Sequence, residues 1–499
     1  MKYALAVIDI GMTNKKVAVY DDTLHQLSAE YCNFPPELID GLETHNLAGM
    51  ESWFIEKLAD AAKHFPVKAI TITTHGATFV CVGKDAKPVV PCVYYTYEPG
   101  EDFHRRFYEQ FGAPEALQQQ TGTPAFKSMI NPAQGIFFIK EIYPEYFAKT
   151  THLLWYPQYW GFRFTGKTGS EGTYMGCHTY MWNQLENKLS SVAHGLGVDT
   201  LIPEQLGNSW DILGTITGVL AEKTGLSPDT IVTMGIHDSN SSLLPYFAKK
   251  GEIGFVLNST GTWCVIMNPV KKYGFSENEL GKVVFFNISA FRKPVKTAIF
   301  LGGQEFETWS KVLMNIHQRK DIPGYNAALY FEILKESQAF LMPELTPGSG
   351  QFPLSKARII ENGRNYIFAE IADKNNIPPV FKDYEKGIAL LRISLVLQTL
   401  TALERAGLER GAEVFTEGGF RKDTAYNTLL SSALPDNRVF LTDIAEATAF
   451  GAAMTAKMAI TSEKLSELAG DFDIEYKEVP KSDESLLGNY RSNWLKYTG

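Results

Sequence analysis

Short apolar runs that end in glycine- or hydroxyl-rich turns recur along this chain and predict strands. Ala4–Ile10 is one; it closes in Asp9-Ile10-Gly11-Met12-Thr13-Asn14 and is followed by a second strand, Lys16–Tyr20. The pair reads as a hairpin with Asp, Gly and Thr at its tip. Phe255–Asn268 partly repeats the arrangement, with the turn Ser259-Thr260-Gly261-Thr262 ahead of a strand Trp263–Met267. One such hairpin opens each half, which suggests two similar domains facing each other across a cleft. Between them, Ser52–Phe65 has amphipathic helical spacing and leads into a strand, Ala69–Thr73, ended by Thr74-His75-Gly76-Ala77-Thr78. Thr230–Met234 is a strand that turns at Gly235 and delivers His237 and Asp238 where a helix, Asn240–Ala248, should begin. The polar turn Lys249–Glu252 and the strand Ile253–Asn258 follow.

In the second half, Leu313–Gln338 and Pro343–Lys356 read as loops and helices, and Glu385–Ala406 as a nearly all-apolar, buried core helix. Val414–Thr416 is a strand running into Glu417-Gly418-Gly419-Phe420, then a helix with Asp423 and Asn427. After a strand at Val439–Leu441, Glu446–Ala459 is a small-residue helix suited to close packing. Residues 462–499 are polar and charged, and their pattern assigns them no role.

A chain of 499 residues exceeds one ordinary core, so two domains are expected. Hydrophobic content of 44% and charged content of 21% describe a soluble globular protein. A net charge of -9 argues against a nucleic-acid partner, although local donors or Mg²⁺ can still bind an anionic nucleotide. The N-terminal apolar run is too short for a signal peptide and is interrupted by Asp9, and no stretch is read as a bilayer span. Cys32, Cys81, Cys92, Cys177 and Cys264 lack CxxC spacing, which suggests reduced thiols and a cytoplasmic location.

The candidate chemistry is phosphoryl transfer to an alcohol. It needs a carboxylate to accept the hydroxyl proton, and backbone N–H and hydroxyl donors to hold phosphates. Asp238, at a strand end, supplies the first; as a residue before a helix it could instead be an N-cap. The Gly11–Asn14 turn can offer N–H groups to phosphate while Asp9 holds Mg²⁺ through water, against the plainer reading of a solvated Asp on a hairpin. Gly302-Gly303 after an apolar strand, and Gly418-Gly419 at a strand-to-helix turn, let the backbone lie against phosphates or a purine. His75 is a candidate sugar-hydroxyl donor or a satisfied structural histidine. Tyr94, Tyr95, Tyr97, Glu98, Glu101 and Asp102 suit a polyol but could form a solvated rim. The aromatic run Trp155–Phe164 reads first as core, and Glu171 as a substrate contact. Lys15 and Lys16 fall on alternating strand faces, so at most one meets the cleft and a solvated Lys is the default.

Taken in order, IDIGMTNKKVAVYD, TTHGAT, LLWYPQYWGFRFTG with EGTYMG, MGIHDSNSS, LNSTGTW, FTEGGFRKDTAYNTLLSSAL and EATAFGAAMTA resemble the FGGY carbohydrate kinases of the actin-like ATPase superfamily. The resemblance covers nearly the whole chain. His237-Asp238 and the pattern GGxxxDxxxNxLL look most like kinases of 6-deoxy-ketohexoses, L-rhamnulose and L-fuculose. Met12 departs from the family's usual Thr, Tyr95-Thr96-Tyr97-Glu98 departs from its sugar-contacting segment, and Gly303–Glu385 carries no family signature.

The resemblance implies an α/β fold of two ribonuclease H-like (actin-like ATPase) domains facing across a cleft. Residues 1–246 would hold the sugar and the first phosphate turn, and residues 247–499 the nucleotide. It implies ATP and Mg²⁺, with Asp238 as general base and Asp9 and Asp238 at the metal. Gly11, Thr13, Asn14, Thr260, Gly261, Thr262, Gly302, Gly303, Gly418, Gly419 and Asn427 would receive the nucleotide, and His75, Gly76, Glu98, Glu171, His237 and Asp238 the sugar. A small-molecule sugar is the expected partner and a homodimer the default assembly, with neither nucleic acid nor membrane involved. The alternatives are a pentulose or polyol kinase and a non-kinase actin-like ATPase module. The latter lacks support, because no basic stripe or helix-turn-helix is present.

Overall fold

Side-chain alternation in the first strand decides the layering. The computed structural model describes residues 1–203, 206–444, 446–482 and 486–498. In it, β1 (Ala4–Ile10) sends Ala4, Ala6, Ile8 and Ile10 to one face of its sheet and Leu5 and Val7 to the other. Asp9 continues the second series, so its carboxylate shares the face of Leu5 and Val7. β2 (Asn14–Asp21) and β3 (Gln26–Asn33) extend the sheet antiparallel, while β4 (Val67–Thr74) runs parallel to β1. With β5 (Ile212–Thr215), β6 (Ile231–Thr233) and β7 (Ile236–His237) the order is β5-β6-β4-β1-β2-β3, β7 pairing with β4 beyond β6.

The second sheet repeats this plan. β8 (Phe255–Thr260), β9 (Cys264–Pro269), β10 (Val284–Ile288), β11 (Pro294–Phe300), β12 (Glu413–Gly418), β13 (Arg438–Thr442) and β14 (Tyr476–Glu478) are ordered β10-β11-β9-β8-β12-β13-β14. β8 has an antiparallel hairpin partner on one side and parallel β12 on the other, as β1 has β2 and β4. The faint echo between the two halves of the sequence is thus a repeated sheet topology.

Helices α1 (Leu47–His64) and α2 (Tyr156–Thr165) cover the outer face of the first sheet. α3 (Asp238–Lys250) crosses from one sheet to the next. α4 (Gly302–His317), α5 (Tyr384–Arg405) and α6 (Thr424–Ala433) cover the outer face of the second. α7 (Ala447–Thr461) then returns to lie with α3 between the sheets, against Leu5, Val7 and Ala69 on one side and Phe255, Leu257, Phe415 and Phe440 on the other. Its small residues permit this: a Cβ on Gly451 would lie 1.9 Å from the Ser241 carbonyl oxygen. α5 is the one described helix long and apolar enough to cross a membrane, and it is almost wholly buried as the second lobe's core.

The sequence boundaries shift for identifiable reasons. The strand expected at Thr230–Met234 breaks at Gly235, where φ is +79° and a Cβ would sit 2.8 Å from the Ile72 carbonyl; it resumes as β7. That kink aims His237 and Asp238 at the cleft. α3 starts at Asp238, not Asn240, and runs past the expected 246/247 domain division. Between and after the stretches read as loops and helices lies a three-stranded sheet, Ala339–Met342, Arg358–Glu361 and Arg364–Ile367. Asn362 and Gly363, both at positive φ, make the tight turn of its hairpin. Within the C-terminal segment, residues 483–485 and 499 lie outside the described residues. The rest of it supplies β14 and a helix, Leu487–Leu495, whose Trp494 indole N–H donates to Leu341 O at 2.8 Å.

Candidate active site

Asp238 begins α3 with its side chain about one-third exposed (31%). Ser239 N–H donates to its Oδ1 at 2.6 Å, and His237 Nε2 lies 3.1 Å from the same oxygen. The amide of Asn240 donates from Nδ2 to His237 Nδ1 at 3.2 Å, so the imidazole proton is on Nε2. Burial pushes the Asp238 carboxyl up to about 6. The carboxylate therefore remains oriented yet basic near neutrality.

Asp9 faces it. Burial pushes the Asp9 carboxyl up to about 6 against the pull of Lys16, and the neighbouring charge on Asp238 adds to the rise. Two carboxylates on one cleft, one of which raises the proton affinity of the other, form an oxygen donor set suited to a hard divalent cation such as Mg²⁺. Lys16 Nζ bridges Asp9, at 3.3 Å, and Glu446, at 2.9 Å, so the strand pair of the first lobe is tied to the start of α7. Tyr31 OH also donates to Glu446. The default of a solvated lysine fails for both residues. Lys16 is buried in this bridge, and Lys15, buried on the opposite face, donates from Nζ to Met12 O at 2.8 Å and Thr13 O at 3.4 Å. Its amine thus braces the Gly11–Thr13 turn from below, while Thr13 and Asn14 stay exposed at the tip.

On the other side of Asp238 the walls are aromatic. His75 packs at a tilt against Tyr95 and Tyr156, its Nδ1 bonds to Gly76 O, and its buried Nε2 has no hydrogen-bond partner among the described residues. The Asp238 charge contributes to raising the Tyr95 phenol, after burial, which brings that ring into the same group. The rings of His178 and His237 fill the space that a Cβ on Gly76 would need.

Glu98 and Glu171 take other places. Glu98 accepts from Gly100 N, Ser128 N and His104 Nε2, bracing its own loop. Glu171 is enclosed at 1% exposure, with Thr173 Oγ1, Tyr174 N and Ser209 Oγ donating to its carboxylate. A fully donated, sealed carboxylate has no oxygen for a sugar hydroxyl, so the expectation for Glu171 is corrected to an internal brace.

The second lobe carries a cavity of about 950 Å³ lined by Thr260, Gly261, Thr262, Gly303 and Gly419. α4 begins there with no side-chain cap on its N-terminus; Gln304 N–H instead donates to Thr262 O at 3.3 Å and ties the helix to the hairpin turn. Gly303 sits so close to the hairpin turn that a Cβ would lie 2.1 Å from Gly261 O. Four expected nucleotide contacts instead support this lining. The Thr260 hydroxyl donates to Glu417 O and accepts from Phe420 N, so both its roles are used. Gly302 packs on Cys264, Gly418 at φ +79° packs on Thr260, and Asn427 Nδ2 donates to Phe420 O and Asp423 O. The pattern reading missed Phe306, Tyr325, Phe420, Arg392 and Lys422, which line the same cavity from four separate segments.

Residues 3–245 match the model of the FGGY family of carbohydrate kinases, N-terminal domain, and residues 253–464 that of the carbohydrate kinase FGGY C-terminal domain. A rhamnulokinase of Halalkalibacterium halodurans is 23% identical over 284 residues, which is 53% of this chain and 56% of that protein. The matched region thus spans about half the length of that curated relative. A carbohydrate kinase from Novosphingobium aromaticivorans superposes with a TM-score of 0.80 at 26% identity, covering 99% of this chain and 98% of that one. A ligand-bound xylulose kinase from Lactobacillus acidophilus superposes with a TM-score of 0.78 at 14% identity, covering 99% and 97%, a likeness of fold alone.

Proposed function

The chain belongs to the FGGY family of carbohydrate kinases, and from that membership we propose that it transfers the γ-phosphoryl group of MgATP to a hydroxyl of a 6-deoxy-ketohexose such as L-rhamnulose or L-fuculose. The observation that carries this reading is Asp238: a carboxylate held by the Ser239 N–H and hydroxyl, with His237 Nε2 3.1 Å away, open to the cleft beside the aromatic walls of Tyr95 and His75. In a loose transition state the carboxylate orients the sugar hydroxyl and takes its proton late. His75 Nε2 and His237 are assigned to sugar hydroxyls, with the Gly76 backbone beside them. Asp9 and Asp238 would hold Mg²⁺, which when bound offsets charge on the phosphate oxygens.

Gly11, Thr13 and Asn14 would meet the phosphates from the first lobe, with the Lys15 amine beneath them. Gly261, Thr262, Gly303 and Gly419 would meet them from the second. Closure of the lobes then excludes water that would otherwise compete as acceptor. We also assign the enzyme to the cytoplasm, a reading supported by five free cysteines.

The sugar class draws support from the similarity to a rhamnulokinase and from ring faces suited to a methyl group. A pentulose kinase is the second reading, favoured by the fold-level likeness to a xylulose kinase. The test is ADP release across a panel of ketoses, aldoses and polyols. A 6-deoxy-ketohexose should give the highest kcat/KM. ATP hydrolysis indifferent to every sugar would overturn the kinase reading, and a pentulose at the top would replace the substrate class.

The pH dependence follows from the same carboxylates. Asp238 must be ionised to accept a proton, and its carboxyl is pushed up to about 6, so kcat/KM should fall as pH drops through that value. A cation favours the ionised forms of Asp9 and Asp238, so raising Mg²⁺ should move this acid limb to lower pH. Profiles at low and high Mg²⁺ check both statements; an acid limb that ignores Mg²⁺ would count against the metal assignment.

A further inference from the structure

A second set of ligand atoms converges beside Asp238. Cys177, His178 and His237 each bring one to within 4.8 Å of the others. Cys177 Sγ is 3.3 Å from His237 Nε2, and His237 Nε2 is 3.1 Å from Asp238 Oδ1. Those edges resemble the roughly 3.3–3.6 Å between ligand atoms of a tetrahedral zinc centre with Zn–N near 2.0–2.1 Å and Zn–S near 2.3 Å. His178 is already set for ligation: its Nδ1–H donates to Ile130 O at 3.0 Å, which leaves the Nε2 lone pair free, as the outer bond of a zinc-bound imidazole does. A Cβ on Gly76 would stand 2.9 Å from His178 Nε2 and 3.2 Å from His237 Nε2. Both rings therefore lean over the same bare spot of backbone, and a side chain there would fill it. His178 holds this pose at φ +42°, uncommon for a non-glycine residue.

We propose that Cys177, His178 and His237 form a Zn²⁺ site and that the bound ion draws in the neighbouring Asp238 carboxylate as a further ligand, which switches the kinase off. Thiolate and imidazole ligands select a borderline-soft cation and leave Mg²⁺, which demands oxygens, to Asp9. On binding, the Cys177 thiol releases one proton to solvent. The hydrogen on His237 Nε2 is lost from that nitrogen and regained at Nδ1, leaving the imidazole neutral. Asn240 can serve either form: its Oδ1 is buried without a partner among the described residues, so turning the amide over presents an acceptor to Nδ1–H. Zinc captures the carboxylate that would take the sugar's proton. That inhibitory half rests on the role given to Asp238 above; the binding half does not.

The experiment uses the full chain with Co²⁺ as spectroscopic probe and Zn²⁺ as inhibitor in excess Mg²⁺. One Co²⁺ per chain should bind with a thiolate-to-metal charge-transfer band. The band should vanish in Cys177→Ser and weaken in His178→Asn, the latter chosen because Asn tolerates positive φ. Both variants should keep sugar-dependent ADP release but need at least about ten-fold more Zn²⁺ for half-inhibition. A zinc-selective chelator should restore the parent. A parent cobalt complex without the thiolate band, or variants inhibited at the parent's zinc concentration, would overturn the site. If no sugar elicits ADP release, the kinase reading fails, and the cobalt band still decides whether the site exists. Should Cys177→Ser fail to fold, His178→Asn and the parent spectrum carry the test.

Discussion

Asp238→Asn should lower sugar-dependent turnover by roughly 10²–10⁴-fold while thermal stability and nucleotide binding stay near those of the parent. The substitution is nearly isosteric, and the Asn carbonyl oxygen can still accept from Ser239 N–H and Ser239 Oγ–H, the two donors that hold Oδ1. It removes a carboxylate that burial already makes costly to ionise, so the fold has little reason to resist. What the amide cannot do is take up a proton. Single-turnover kinetics beside a melting curve separates the effects: loss of the chemical step with an unchanged midpoint is expected. Turnover within ten-fold of the parent, in a preparation free of contaminating kinase, would remove Asp238 from the base role.

The second large effect is expected far from any substrate atom. Gly451→Ala should destabilise the protein by about 1–3 kcal/mol and depress turnover as well. The new Cβ would sit 1.9 Å from Ser241 O and 2.7 Å from Ser241 C, and backbone atoms inside a helix cannot rotate away as a side-chain tip would. The crossing is held from the other direction too, since Ser241 Oγ donates to Thr448 O at 2.7 Å. Relief must come from moving α3 against α7, and α3 carries Asp238 on its first residue. Gly470→Ala is the control, because nothing stands within 4 Å of its Cβ position. Equal melting points and rates for the two variants would mean that the crossing yields without reaching Asp238.

How much of this was legible depended on whether partners lie close in sequence. The hairpin tips at Gly11–Asn14 and Ser259–Thr262, and the strand-to-helix step at His237-Asp238, announce themselves through local alternation and turn residues, and the structure forms them there. The hairpin at Asn362-Gly363 carried an equally local signal, an Asn-Gly pair between short strands, and the charged residues around it hid the alternation. Glu171 could not be read correctly, because the Ser209 hydroxyl that satisfies it is 38 positions away. The same holds for the cavity walls, where Phe306, Tyr325 and Phe420 meet only after the second lobe has closed on itself. Cys177 and His178 directly follow a stretch quoted for its family resemblance, but their convergence with His237 needs a turn at positive φ that no periodicity encodes.

The return of α7 to the middle layer has a consequence for synthesis. Leu5, Val7 and Ala69 belong to the earliest part of the chain, yet the helix that shields them spans Ala447–Thr461. A growing polypeptide on the ribosome therefore holds the first sheet with one greasy side bare until Ala447–Thr461 has been made. Maturation of that lobe waits on the synthesis of the other, and both halves then close together.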